Sequence, residues 1–108
     1  MIISDARLQK ALTFLAETDE ECGLRRGRME GASLYLKTMK SAAMLDSKMK
    51  TQGDREADAY QNNDYLAAVE RYQNAVADYE SMRCKRATET LVVEVWRSQN
   101  ANRRQGNI

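Results

Sequence analysis

Apolar side chains recur along this chain at the spacing of a helix that packs by one stripe. Leu8, Leu15, Cys22, Met29, Leu36 and Ala43 follow one another every seven residues, with Ala11, Thr18, Arg25, Ala32 and Met39 at the companion position between them. A second run starts after Asp64. Tyr65, Tyr72 and Tyr79 recur every seven residues, each followed three positions later by Ala68, Ala75 and Met82. Side chains three, four and seven residues apart share one face of a helix, so each run predicts a helix with a narrow apolar seam. Neither stripe is buried by its own helix, and the two runs predict each other as partners. After Met82 the apolar residues step by four, through Ala87, Leu91 and Val95. This reads as a stutter that locally relaxes the supercoil.

Start and stop signals set the elements. Ser4 is a good N-cap, Asp5 complements the helix dipole, and Ile3 with Leu8 has the spacing of a hydrophobic staple. Helix 1 is therefore expected over about 4–50, continuing through Gly23 and Gly27 because the seven-residue phase survives them. A turn is expected over 51–54, with Gly53 as a left-handed C-cap. Helix 2 is expected over about 55–102, with Asn62-Asn63-Asp64 as a loop or a polar patch inside it, and a frayed tail over 103–108. The fold class is all-α: one domain over 1–108, an antiparallel helical hairpin of coiled-coil type that assembles into a dimer or a tetrameric bundle.

Folding the chain about Gly53 sets residues at equal distance from the turn level with one another. Leu15 then faces Leu91, Met29 lies near Val76, Leu36 near Val69, and Leu8 near Val95 and Trp96. Apolar positions meet apolar positions, and that agreement between independently read runs supports the hairpin. The same register sets Cys22 level with Cys84, as two small buried thiols. Beside them come two basic clusters, Arg25, Arg26 and Arg28 from one arm and Arg83, Lys85 and Arg86 from the other. They are expected either as cross-helix ion pairs or as a basic girdle that holds phosphates or an acidic partner.

Composition fits this picture. There is no proline, only five glycines, and 31% of residues are charged. That is helix-forming usage in a chain with few breakers. The net charge of +1 argues against a strongly basic nucleic-acid binder and against an acidic mimic of DNA. No apolar run approaches the roughly 20 residues a membrane span needs. Two cysteines and no histidine make neither a zinc motif nor an acid–base pair. No catalytic residue, metal site, cofactor or small-molecule substrate is expected.

The segment Glu94-Val95-Trp96-Arg97-Ser98-Gln99-Asn100-Ala101-Asn102-Arg103-Arg104-Gln105-Gly106-Asn107, with Ala77-Asp78-Tyr79-Glu80-Ser81-Met82-Arg83-Cys84-Lys85-Arg86 upstream, resembles small uncharacterised proteins of bacteriophages and prophages. Those proteins tend to be encoded among early genes for DNA recombination and single-strand annealing. The resemblance covers roughly the last third of the chain and carries over no active residue. It implies a protein of the bacterial host cytoplasm that acts as an accessory or inhibitor on a nucleic-acid machine.

The functional expectation is a non-enzymatic helical adaptor or inhibitor that binds a host or phage protein of recombination or host defence and forms homo-oligomers. The oligomer interface is expected at Leu91, Val92, Val95 and Trp96, where apolar residues exceed what one hairpin partner covers. The alternative is an accessory protein that binds nucleic acid directly through the basic girdle.

Overall fold

The computed structural model describes residues 2–106. Three helices follow in order: α1 (Asp5–Asp46), α2 (Gln52–Ala59) and α3 (Asn63–Arg104). The described residues form an all-α fold without strands. The chain divides into two compact units where the sequence predicts one domain. One comprises Met1–Gly23 with Glu80–Ile108, the other Leu24–Tyr79.

In the first unit α1 and α3 run antiparallel. The Ser4 hydroxyl caps α1 by accepting from the Arg7 N–H at 3.1 Å. Ile3, 5% exposed, is held by a reciprocal amide pair. Its N–H donates to Gln99 Oε1 and its carbonyl accepts from Gln99 Nε2, both at 2.9 Å. Trp96 Nε1 donates to Asp5 Oδ1 at 3.1 Å, and one turn further Arg7 meets Glu89 at 2.6 Å. As residue number rises on α1 it falls on α3. Ala11 and Met82 are buried between the two helices.

In the second unit the remainder of α1 and the start of α3 are again antiparallel: Arg25 Nη1 donates to the Asp78 carbonyl at 3.2 Å, and the Arg71 guanidinium lies 4.8 Å from the centre of the Tyr35 ring. The buried residues here are Ala32, Ala43, Ala59 and Ala68. Alanine gives helices a close approach but little apolar area, so the half-buried Met29, Leu36, Met39, Tyr65, Val69, Tyr72 and Tyr79 close the seam at its edges.

The reversal differs from the one expected. α1 ends at Asp46, with the Ser47 N–H tightening onto the Met44 carbonyl at 3.3 Å. Gly53 caps nothing; it lies inside α2, and the only glycine with positive φ is Gly106, beyond α3. Thr51 takes the capping role, its hydroxyl accepting from the Asp54 N–H at 3.1 Å. Asn62, rather than Asp64, starts α3, accepting from the N–H groups of Asp64 and Tyr65 at 2.9 and 3.0 Å. Helix 2 of the sequence reading is thus two helices. An Asx cap satisfies two orphan amides at once, and that favours a break over a continuous helix. Lys40 fastens α2 to α1: its Nζ donates to Glu56 Oε1 at 2.8 Å and to the Tyr60 hydroxyl at 3.1 Å.

α1 is unbroken through Gly23 and Gly27, and the α1 seam keeps the seven-residue phase, including its polar members Thr18 and Arg25. α3 corrects the expected stutter. Its covered face continues through Met82, Arg86, Glu89, Val93 and Trp96, which holds the heptad, while Ala87, Leu91 and Val95 are exposed. The polar pair is tolerated because α1 supplies partners: Arg86 reaches the Leu15 carbonyl and Thr18, and Glu89 reaches Arg7. Leu91 therefore does not face Leu15.

Two stability measurements check this assignment. Val93→Ala should lower unfolding free energy by about 1 kcal/mol, from lost apolar burial, and Leu91→Ala should leave it nearly unchanged. Gly27→Ala should raise it by roughly 0.5–1 kcal/mol through helix propensity, because a Cβ there meets nothing within 4 Å. Urea titration followed by circular dichroism reads all three.

Candidate functional site

The basic residues have distinct environments. On α3, Arg83 folds back along its own helix onto Glu80, with Nε and Nη2 at 2.9 and 2.6 Å from Oε2. Lys85 is exposed and borders a shallow depression with Phe14, Thr88 and Glu89. Arg86 is a seam residue. Its Nη1 donates to the Leu15 carbonyl and to Thr18 Oγ1, each at 2.8 Å, and its Nη2 meets Asp19 at 3.1 Å. Thr18 in turn donates to the Phe14 carbonyl at 2.7 Å. Arg86 is thus a structural bracket between helices, not a surface cation.

On α1, Arg26 pairs with Glu30 one turn away at 3.2 Å. Both partners are well exposed, so this pair contributes little. Arg25 and Arg28 belong to the second unit, where they wall an open cleft of about 700 Å³ between α1 and α3. Gly31, Ala32, Ala67 and Ala75 give its small, apolar side. Tyr35, Glu70, Arg71, Asn74 and Asp78 complete the rim. Cation–π contact holds Arg71 over Tyr35. Sequence reading missed Arg71 and Tyr35. The available signal was position: each stands beside a seam residue, Tyr72 and Leu36 respectively, where a long side chain borders the groove between two helices.

The cysteines do not form a buried pair. Cys22 is half-buried in the seam and Cys84 is exposed, and both thiols are free. Cys84 falls two residues from each seam position, Met82 and Arg86, which turns it outward. Among the described residues no three acidic or thiol side chains gather where they could hold a metal ion. No helix of the described chain is long and apolar enough to cross a membrane.

The residues expected at an oligomer interface divide. Trp96 is half-buried and hydrogen-bonded to Asp5, and Val92 is half-buried. Leu91 and Val95 stand out at 60% and 41% exposure, one helical turn apart on one face.

Two carboxylates are electrostatically tuned. Hydrogen bonding from Arg7 holds Glu89 below the usual carboxylate range, and hydrogen bonds from Lys40 and Tyr60 do the same for Glu56. The same contacts raise Arg7 and Lys40 above their ordinary values.

No protein-family model matches this sequence, and no match emerges among curated proteins or solved structures.

Two outcomes follow from these environments. Arg86→Met should destabilise the chain by about 1–3 kcal/mol, through lost charge-assisted hydrogen bonds, while Arg83→Met should stay within about 0.5 kcal/mol of the parent. Glu89, with its lowered folded-state pKa, stabilises the fold at pH values above the ordinary carboxylate range, and this contribution disappears as pH falls through the lowered value. Glu89→Gln should therefore be less stable than the parent at pH 7, and the difference should shrink on acidification below about pH 4. Urea titrations at both pH values test this.

Proposed function

We propose that this protein is a non-enzymatic helical interaction module that associates with copies of itself and presents helix faces to a protein partner. The observation that carries the reading is the exposed apolar pair Leu91 and Val95 on α3. It lies outside a seam that Val93 and Trp96 already fill. Large apolar side chains left on one helix face are the usual mark of a surface another helix covers. Leu24, Leu34 and Leu45 on α1 are likewise half or more exposed.

The likeness of the last third to phage and prophage proteins suggests the class of partner: a component of recombination or of host defence, met in the bacterial cytoplasm. As an adaptor or inhibitor of such a machine, the protein would act by occupying a surface. Direct binding of nucleic acid is the second reading, favoured by the convergence of Arg25, Arg28 and Arg71 on one cleft. Glu70 and Asp78 on the same rim oppose it.

Light scattering tests the first reading. The parent should exceed the monomer mass of 12.3 kDa at micromolar concentration, and Leu91→Glu with Val95→Glu should shift it toward monomer with its helix content retained. A parent that stays monomeric would remove the self-association. For the second reading, affinity for DNA should be weak at physiological salt and insensitive to Arg28→Glu; a steep salt slope lost in that variant would favour nucleic acid instead.

A further inference from the structure

The cleft of the second unit has a shape and charge that its own chain leaves unused. Its small side chains, Gly31, Ala32 and Ala67, leave room between α1 and α3 for another backbone, and Arg28 and Arg71 stand on opposite walls. Gly31 is the informative residue. It lies inside a helix, where glycine costs roughly 0.5–1 kcal/mol against alanine. Yet a Cβ added there would meet nothing within 4 Å. Nothing within the chain requires a glycine at this point, whereas a helix laid into the cleft would.

We infer that the cleft accepts the acidic face of α1 from a second copy of this chain, the face formed by Leu12, Ala16, Glu17 and Glu20. These four residues are all exposed in the first unit, with Leu12 at 43%. They offer a small apolar ridge flanked by carboxylates, the complement of a small apolar floor walled by arginines. The order of charges along the chain favours a copy over an unrelated acidic helix. Glu17 and Glu20 precede Gly23, and Arg25 and Arg28 follow it. An antiparallel second copy therefore meets opposite charges in both directions, the self-complementarity that a two-fold dimer requires. The inference rests on the self-association proposed above and assigns it a surface distinct from Leu91 and Val95.

Charge exchange and a filled groove test it. Arg28→Glu with Arg71→Glu should weaken self-association at least about tenfold, and so should Glu17→Arg with Glu20→Arg. Mixing the two variants should restore a complex of dimer mass, seen by native mass spectrometry. Gly31→Leu should abolish association while leaving helix content and thermal stability equal or higher, because its side chain has space in the single chain. Parent-like association in Gly31→Leu, or failure of the mixed charge variants to recover a complex, overturns the cleft as the interface. Those results leave self-association itself standing. A strictly monomeric parent overturns both. Loss of association in Leu91→Glu with Val95→Glu, but not in the cleft variants, moves the interface to α3.

Discussion

Everything in this fold depends on how little one helix can bury against one neighbour. Two antiparallel helices share a single stripe each, and here much of that stripe is alanine: Ala11, Ala32, Ala43 and Ala68 are almost wholly covered, and Ile3 and Met82 are the only large side chains buried as deeply. Alanine lets the backbones approach and packs well, but it removes little apolar surface from water. The remaining fastening comes from polar contacts between helices. Gln99 grips both backbone groups of Ile3, Arg7 holds Glu89, Arg86 binds the Leu15 carbonyl with Thr18, and Lys40 ties Glu56 and Tyr60 together. Among the described residues no buried side-chain polar atom lacks a partner. Such contacts define register and direction more sharply than alanines do, because each requires a particular pair to meet.

The same economy explains why function is best sought on the outside. A thin seam leaves apolar side chains on helix faces that no second neighbour covers. Leu34, Leu45 and Leu91 are exposed by more than half. In a larger domain a third layer of helices would cover such residues. In this chain that layer is available from a second molecule or a partner protein. The basic residues sort by the same geometry. Those at seam positions, Arg86 above all, are held inward as brackets, and those flanking the seam, Arg28 and Arg71, wall an open cleft.

Much of this arrangement was legible in the sequence. The α1 repeat of Leu8, Leu15, Cys22, Met29 and Leu36 and the α3 repeat of Tyr65, Tyr72 and Tyr79 are the covered faces, because a seven-residue period leaves one stripe for a neighbour. The Ser4 cap follows from local chemistry in the same way. The reversal was less legible, since Thr51, Gly53, Asn62 and Asp64 are all competent turn or cap residues, and only the geometry of the chain end they must join selects Thr51 and Asn62. Of the candidate site residues, Arg25 and Arg28 reach a shared cleft, while Cys84 turns outward and Arg86 inward, two residues apart on one helix.

The sequence by itself determined the all-α class, the phase of both seams and the start of α1, because helical period and capping are properties of a few neighbouring residues. Only the tertiary structure decided the course of α3 beyond Met82. Hydropathy favours Ala87, Leu91 and Val95 as the covered side, and the fold covers Arg86, Glu89 and Val93 instead. The reason lies on the other helix: Leu15, Thr18 and Arg7 stand where they satisfy Arg86 and Glu89, and a polar pair that finds its partners keeps the heptad where an apolar count alone would have broken it.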